Sequence, residues 1–301
     1  MKELVVISGK GGTGKTSIVA SFAALASGKT VMADCDVDAA DLYLVLEPRI
    51  IRRESFSGGN RASIRTESCA ACGKCAEVCR FGAVHFDGPG NGGVEKTCRI
   101  DPIACEGCGV CAWFCPAKAI DFGPVTSGEW FVSETRHGPL VHAKLGIAEA
   151  NSGKLVSTVR TEARALAEQR GLEMVIIDGS PGIGCPVIAS ITGANLVLIV
   201  TEPTLSGQHD MERVADLTRH FEIPAMVCVN KWDLNPQIAN EIESLAARRG
   251  IQIAGRVCYD CAVTQAQIHR KSVVEYQTNG CAADIRTVWA KVQEVLLATP
   301  T

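Results

Sequence analysis

Residues Leu4-Val5-Val6-Ile7-Ser8-Gly9-Lys10-Gly11-Gly12-Thr13-Gly14-Lys15-Thr16 decide how the rest of this 301-residue chain is read. An apolar, mostly β-branched run leads into a glycine loop, and sequence of helical period follows. Strand, loop and helix is the setting in which G-x-x-x-x-G-K-[ST] grips phosphate. The glycines let backbone N–H groups converge on phosphate oxygens, Lys15 supplies a cation to the β and γ phosphates, and the Thr16 hydroxyl suits Mg2+. Gly11, Gly12, Thr13, Gly14, Lys15, Thr16 and Ser17 are therefore the expected nucleotide contacts.

Outward from the loop, short β-branched runs alternate with longer helix-like segments: LVVIS, TVMAD, EMVIID, NLVLIV and PAMVCVN. Runs of this kind belong to a parallel sheet covered on both faces, so the fold expected is doubly wound, mostly parallel α/β. Met211, Val214, Leu217 and Phe221 set one apolar stripe on the helix after the fourth strand. The alternation stops near Phe56 and resumes near Glu129, and glycine-rich joints (SGGN, DGPGNGG, DFGPVTSG) bracket the segments between. Residues 58–125 are read as an inserted domain, with residues 1–57 and 126–301 as the two parts of the nucleotide-binding domain.

Lys10 is additional to the basic loop. The form KGGTGKT resembles the deviant Walker loop of the MinD/ParA/nitrogenase-iron-protein class of ATPases. By that resemblance Lys10 reaches the partner's nucleotide across a dimer, and hydrolysis depends on dimerisation. Asp34-Cys35-Asp36-Val37-Asp38 closes the second strand where ligands bind in open α/β sheets. The family's first switch looks similar and puts Asp36 in the role of orienting the attacking water, with Asp38 or Asp41 as alternatives. Asp178 ends the third strand ahead of GSPGIG, resembles the second switch, and suits Mg2+ directly or through water. In NKWD, Asn230 and Asp233 end the next strand; the family uses the asparagine for adenine. The same spelling resembles the guanine motif of GTPases, so ATP over GTP rests on the loop.

Fifteen cysteines in a chain with no recognisable secretory leader point to metal ligation. The apolar run in MKELVVISGKGG is too short for a signal-peptide core, and the protein is expected in the cytoplasm. Eight cysteines form two quartets, Cys69-x-x-Cys72-x-x-Cys75-x-x-x-Cys79 and Cys105-x-x-Cys108-x-x-Cys111-x-x-x-Cys115-Pro116, inside an internal repeat. This is the spacing of a two-cluster bacterial ferredoxin, in which three close thiolates hold one 4Fe-4S cluster and the fourth cysteine crosses to the other. The sets expected are Cys69, Cys72, Cys75 with Cys115, and Cys105, Cys108, Cys111 with Cys79. Two zinc sites are the competing reading. Cys35, Cys98 and Cys228 are read as small buried residues. Cys185, seven residues after Asp178, lies where the nitrogenase iron protein has a cluster ligand, and Cys258-x-x-Cys261 follows a strand; either is a site for a further cluster.

Together these features resemble MinD-superfamily P-loop ATPases carrying an inserted α+β ferredoxin-like domain, over nearly the whole chain. GPLVHAKLGIAEANSGKLV also looks like that group. The resemblance implies ATP, Mg2+ and two 4Fe-4S clusters, a homodimer or a heterodimer with a related ATPase, and a redox or iron-sulfur acceptor protein. The leading expectation is ATP-gated electron transfer. An iron-sulfur cluster carrier or assembly ATPase and a MinD/ParA-type positioning switch are the alternatives. A net charge of −3 argues against a nucleic-acid partner, and the terminal helix shows no basic membrane anchor.

Overall fold

The computed structural model describes residues 1–26, 28–146 and 152–299. Its strands are β1 (Lys2–Ser8), β2 (Thr30–Asp34), β3 (Arg49–Ile64), β4 (Val84–Gly88), β5 (Thr97–Ile100), β6 (Ile120–Thr135), β7 (Gly138–Leu145), β8 (Met174–Pro181), β9 (Leu196–Thr201), β10 (Ala225–Asn230) and β11 (Gln252–Val257). The helices are α1 (Lys15–Ala26), α2 (Leu42–Leu46), α3 (Lys74–Glu77), α4 (Val110–Phe114), α5 (Ser152–Arg170), α6 (Cys185–Ile191), α7 (Leu205–His220), α8 (Pro236–Arg248), α9 (Ala262–Ile268), α10 (Val273–Tyr276) and α11 (Cys281–Ala298).

The first of two compact units comprises Met1–Glu54, Trp130–Lys144 and Ser152–Thr301. The large sheet runs β11-β10-β9-β1-β8-β2-β7-β6-β3. Its centre is parallel: β1 pairs with β8 and β9, β10 with β9 and β11, and β2 with β7 and β8. β1, β2, β8, β9 and β10 are the five β-branched runs, and they are buried almost end to end because helices cover both faces. Parallel pairing brings the carboxyl ends of these strands to one edge, which is what gathers the site. In α11, Trp289, Val292 and Leu296 are buried, with the Trp289 ring 4.7 Å from that of Phe22 in α1. Met211 and Val214 of α7 reach the core, whereas Leu217 and Phe221 are only half-buried; Ala215 and Thr218 complete the inward face instead.

A buried ion cluster ties three elements of this unit. Glu3 of β1 meets Arg160 of α5 at 2.5 Å and also binds Arg164, and Arg160 donates to the carbonyls of Ala189 and Thr192 at the end of α6. Burial opposes ionisation of Glu3, but the two guanidiniums outweigh it and hold its carboxyl below the usual range.

The second unit is Ser55–Glu129 with residues 145–146. It contains the antiparallel pair β4–β5 and the short helices α3 and α4. Of the glycine-rich stretches, DGPGNGG joins β4 to β5, whereas SGGN and DFGPVTSG lie inside the 16-residue strands β3 and β6. Backbone pairing overrides the turn propensity of those glycines, and the Gly58 N–H donates to the Ser127 hydroxyl at 2.7 Å. Among the described residues, no helix is long and apolar enough to cross a membrane.

Candidate functional site

The loop between β1 and α1 wraps the N-terminus of α1. Gly12 and Gly14 adopt φ of +79° and +86°, a region that favours glycine, and a Cβ on Gly14 would sit 2.3 Å from Asn230 Nδ2. The loop borders a cavity of about 590 Å³, lined by Gly11 to Ser17 together with Asp36, Asn230 and the Cys258–Asp260 segment.

Lys15 is buried at 6% exposure and its ammonium lies 2.5 Å from Asp178 Oδ1 and 3.6 Å from Asp36 Oδ2. Burial alone would lower its pKa, but Asp178, Asp36 and Asp34 outweigh it and raise the value. Asp178 is 1% exposed, and its Oδ2 has no hydrogen-bond partner. Asp34 is fully buried; burial and the neighbouring Asp178 push it well above the usual carboxylate range. Asp34 accepts the N–H groups of Asp36 (3.1 Å) and Leu42 (3.2 Å), shaping the turn that presents Asp36. Burial lifts Asp36 itself to about 6, opposed by Lys15 and reinforced by Asp178. Three carboxylates thus crowd one ammonium.

The sign of the Asp36 shift sets a pH dependence. The folded chain holds that proton more tightly than the unfolded one, so stability is lost as pH rises from about 4 to about 6. Asp36→Asn should match the parent at pH 4 and exceed it by about 2 kcal/mol at pH 8, after allowance for solvent screening. Urea unfolding at the two pH values checks this; a parallel offset at both would show that Asp36 is not the titrating group.

Lys10 and Asp178 do not line the cavity. Lys10 extends to Glu202 (3.3 Å), Ser206 (3.3 Å) and Thr204 (3.5 Å). Glu202 also binds Lys231 at 2.5 Å, and Lys231 donates to the Gly12 carbonyl at 3.1 Å. Glu202 and Lys231 were not singled out by sequence; their signal was their place at the ends of NLVLIV and PAMVCVN. Gly9 allows the loop to approach α7, since a Cβ there would lie 2.3 Å from that of Asp210.

Asn230 departs from a free base-reading amide. Its Nδ2 donates to the Thr13 carbonyl at 2.7 Å and its Oδ1 accepts the Lys231 N–H at 3.0 Å, so the side chain braces the loop. Asp233 accepts the Tyr259 N–H at 2.6 Å and fixes the Cys258–Asp260 segment.

In the second unit the cysteines line two small cavities. Cys69, Cys72, Cys75 and Cys115 face the first, and Cys79, Cys105, Cys108 and Cys111 face the second. Cys98 is buried but lines the first cavity too, a placement the reading as simple packing missed. Among the described residues, no three His, Cys, Asp or Glu side chains are arranged to hold a metal ion. Cys35 and Cys228 are buried. Cys185, at the start of α6, and Cys261 are exposed; Cys258 lines the nucleotide-sized cavity, with burial and Asp284 pushing its thiol up to about 12.

Residues 4–273 match the model of the CobQ/CobB/MinD/ParA nucleotide-binding domain family. The chain belongs to that family. The uncharacterized protein MJ0578 of Methanocaldococcus jannaschii is 33% identical over 242 residues, covering 77% of this chain and 79% of that one. The cell division ATPase MinD of Pyrococcus furiosus shares the fold with a TM-score of 0.59 at 13% identity, over 98% of this chain and 99% of the other. The septum site-determining protein MinD of Pyrococcus horikoshii, complexed with Mg-ADP, gives a TM-score of 0.59 at 13% identity, over 98% and 96%. Membership makes residues 4–273 a nucleotide-binding domain, and the two MinD structures share its fold.

Proposed function

We propose that this chain is an ATP-hydrolysing switch of the MinD/ParA kind, working as a nucleotide-dependent dimer. The observation that carries the reading is Lys15, seated in a phosphate-sized loop with Asp36 at the cavity wall and Asp178 behind it. In use, Lys15 moves from Asp178 to the β and γ phosphate oxygens while the N–H groups of Gly11 to Thr16 hold the phosphates. Asp36 accepts a hydrogen bond from the attacking water and orients it. The unpartnered Oδ2 of Asp178 and the Thr16 hydroxyl fit Mg2+, which supplies charge neutralisation on the phosphates when bound. Lys10 is the candidate for the charge delivered to the partner's nucleotide. Lys10→Ala should then hydrolyse ATP at a low rate that no longer rises with protein concentration. Full concentration-dependent turnover in that variant would remove the cross-subunit role.

A second reading concerns the inserted unit and is favoured by the two thiol-lined cavities. A single ion needs its donors gathered about one point, whereas each thiolate of a 4Fe-4S cube meets a different iron, so the thiols ring a small void. Cys69, Cys72, Cys75 and Cys115 would hold one cluster and Cys79, Cys105, Cys108 and Cys111 the other; bound clusters supply one-electron redox capacity. On this reading the switch gates electron transfer to an acceptor protein, or hands over a cluster. Anaerobic reconstitution should yield about eight irons per chain, falling to about four in Cys72→Ser or Cys108→Ser. Zinc in place of iron and sulfide would sink the cluster reading while leaving the ATPase reading intact.

A further inference from the structure

We propose that the buried Cys98 thiol donates a hydrogen bond to Cys75 and makes the first cluster easier to reduce than the second. This rests on the cluster reading above. The two halves of the inserted unit are spelled alike around their cavities. Ile64 and Ala62 lie five and seven residues before Cys69, and Ile100 and Cys98 lie five and seven residues before Cys105. Each pair is split by the fold in the same manner: Ile64 and Cys98 line the first cavity, and Ala62 and Ile100 line the second. Ala62 and Cys98 are therefore equivalent wall positions, 4% and 3% exposed. One is a methyl and the other a thiol.

The extra thiol is not idle. It shares the wall of the first cavity with Cys75 and Gly73, so the two sulfurs face the same small void. The third cysteines themselves are placed alike, Cys75 on the wall of the first cavity and Cys111 on that of the second. Cys98 is the feature that breaks this symmetry. A cysteine bound to iron is a thiolate without a proton, so within the Cys75–Cys98 pair only Cys98 has an S–H to give. The four ligands of the first cluster are already supplied by Cys69, Cys72, Cys75 and Cys115. A hydrogen bond to a ligand sulfur stabilises the added negative charge of the reduced state, which raises the potential. An S–H is a weak donor, so the effect is about tenfold in the reduction equilibrium, ~59 mV for one electron.

The test is a redox titration followed by EPR on the full chain, reconstituted with iron and sulfide, in four forms. The parent should hold about eight irons and show two midpoint potentials. Cys98→Ala should keep its iron while one potential falls about tenfold in equilibrium toward the other, with altered g-values for that cluster alone. Cys98→Ser, which retains a donor, should restore most of the difference, and Ala62→Cys should raise the other potential. A fully loaded Cys98→Ala with unchanged potentials and g-values would overturn the proposal. Loss of half the iron in that variant would also overturn it, by making Cys98 a ligand. Should Cys98→Ala not fold, an unshifted Ala62→Cys decides against the proposal. A parent that binds no iron fails the cluster reading itself, and this inference with it.

Discussion

Lys15→Ala should lower ATP hydrolysis by at least about 10²- to 10³-fold, the usual loss when one preorganised charge aimed at a transition state is removed. Among the described residues the ammonium is the one cation in direct ion-pair contact with Asp178 and Asp36, and it is already positioned by burial. Nucleotide affinity should fall with turnover, because the same contact acts on bound phosphate. A turnover assay with a fluorescent-nucleotide titration separates the two. Hydrolysis within tenfold of the parent would mean that phosphate is gripped elsewhere. The variant also leaves Asp178 buried without its cation, so the assay is read alongside a thermal melt.

The largest effect on stability is expected from Glu3→Ala, at about 3–5 kcal/mol. Arg160 is 5% exposed, and without Glu3 it becomes a buried charge lacking its carboxylate, though still bonded to two carbonyls of α6. For a chain of this size that corresponds to a melting-temperature loss of roughly 5–8 °C. The pH dependence follows from the depressed Glu3 pKa: its stabilisation is complete above the ordinary carboxylate range and fades as the pH falls through the folded value. Parent and variant should therefore converge in acid. A difference under 1 kcal/mol at pH 7 would show that α5 and α6 are held by packing alone.

The central sheet was legible because burial on both faces demands unbroken β-branched runs, which is how LVVIS and NLVLIV are spelled. β3 was not. Its first seven residues are all exposed, with Ile50 and Ile51 at 52% and 49%, so no alternation betrays it. Glycines inside β3 and β6 read as joints because turn propensity is local, while the pairing that overrides it comes from residues far away in sequence. The phosphate loop was legible because its chemistry is contiguous. Asn230 was legible in place but not in contact: nothing in NKWD indicates that the amide would face the Thr13 carbonyl. Cys98 was hidden for a related reason, since its neighbours Cys69, Cys72 and Cys75 lie more than twenty residues away in sequence.

The contact between Lys15 and Asp178 makes nucleotide binding a swap of partners. Asp178 acts as a resident stand-in for phosphate, and any guest that draws Lys15 away strands a carboxylate that is 1% exposed. A guest carrying its own divalent cation avoids that penalty, while bare nucleotide or free phosphate incurs it in full. The buried Lys15–Asp178 pair thereby favours the metal–nucleotide complex before any chemistry begins, and omission of divalent cations should weaken binding itself and not merely turnover.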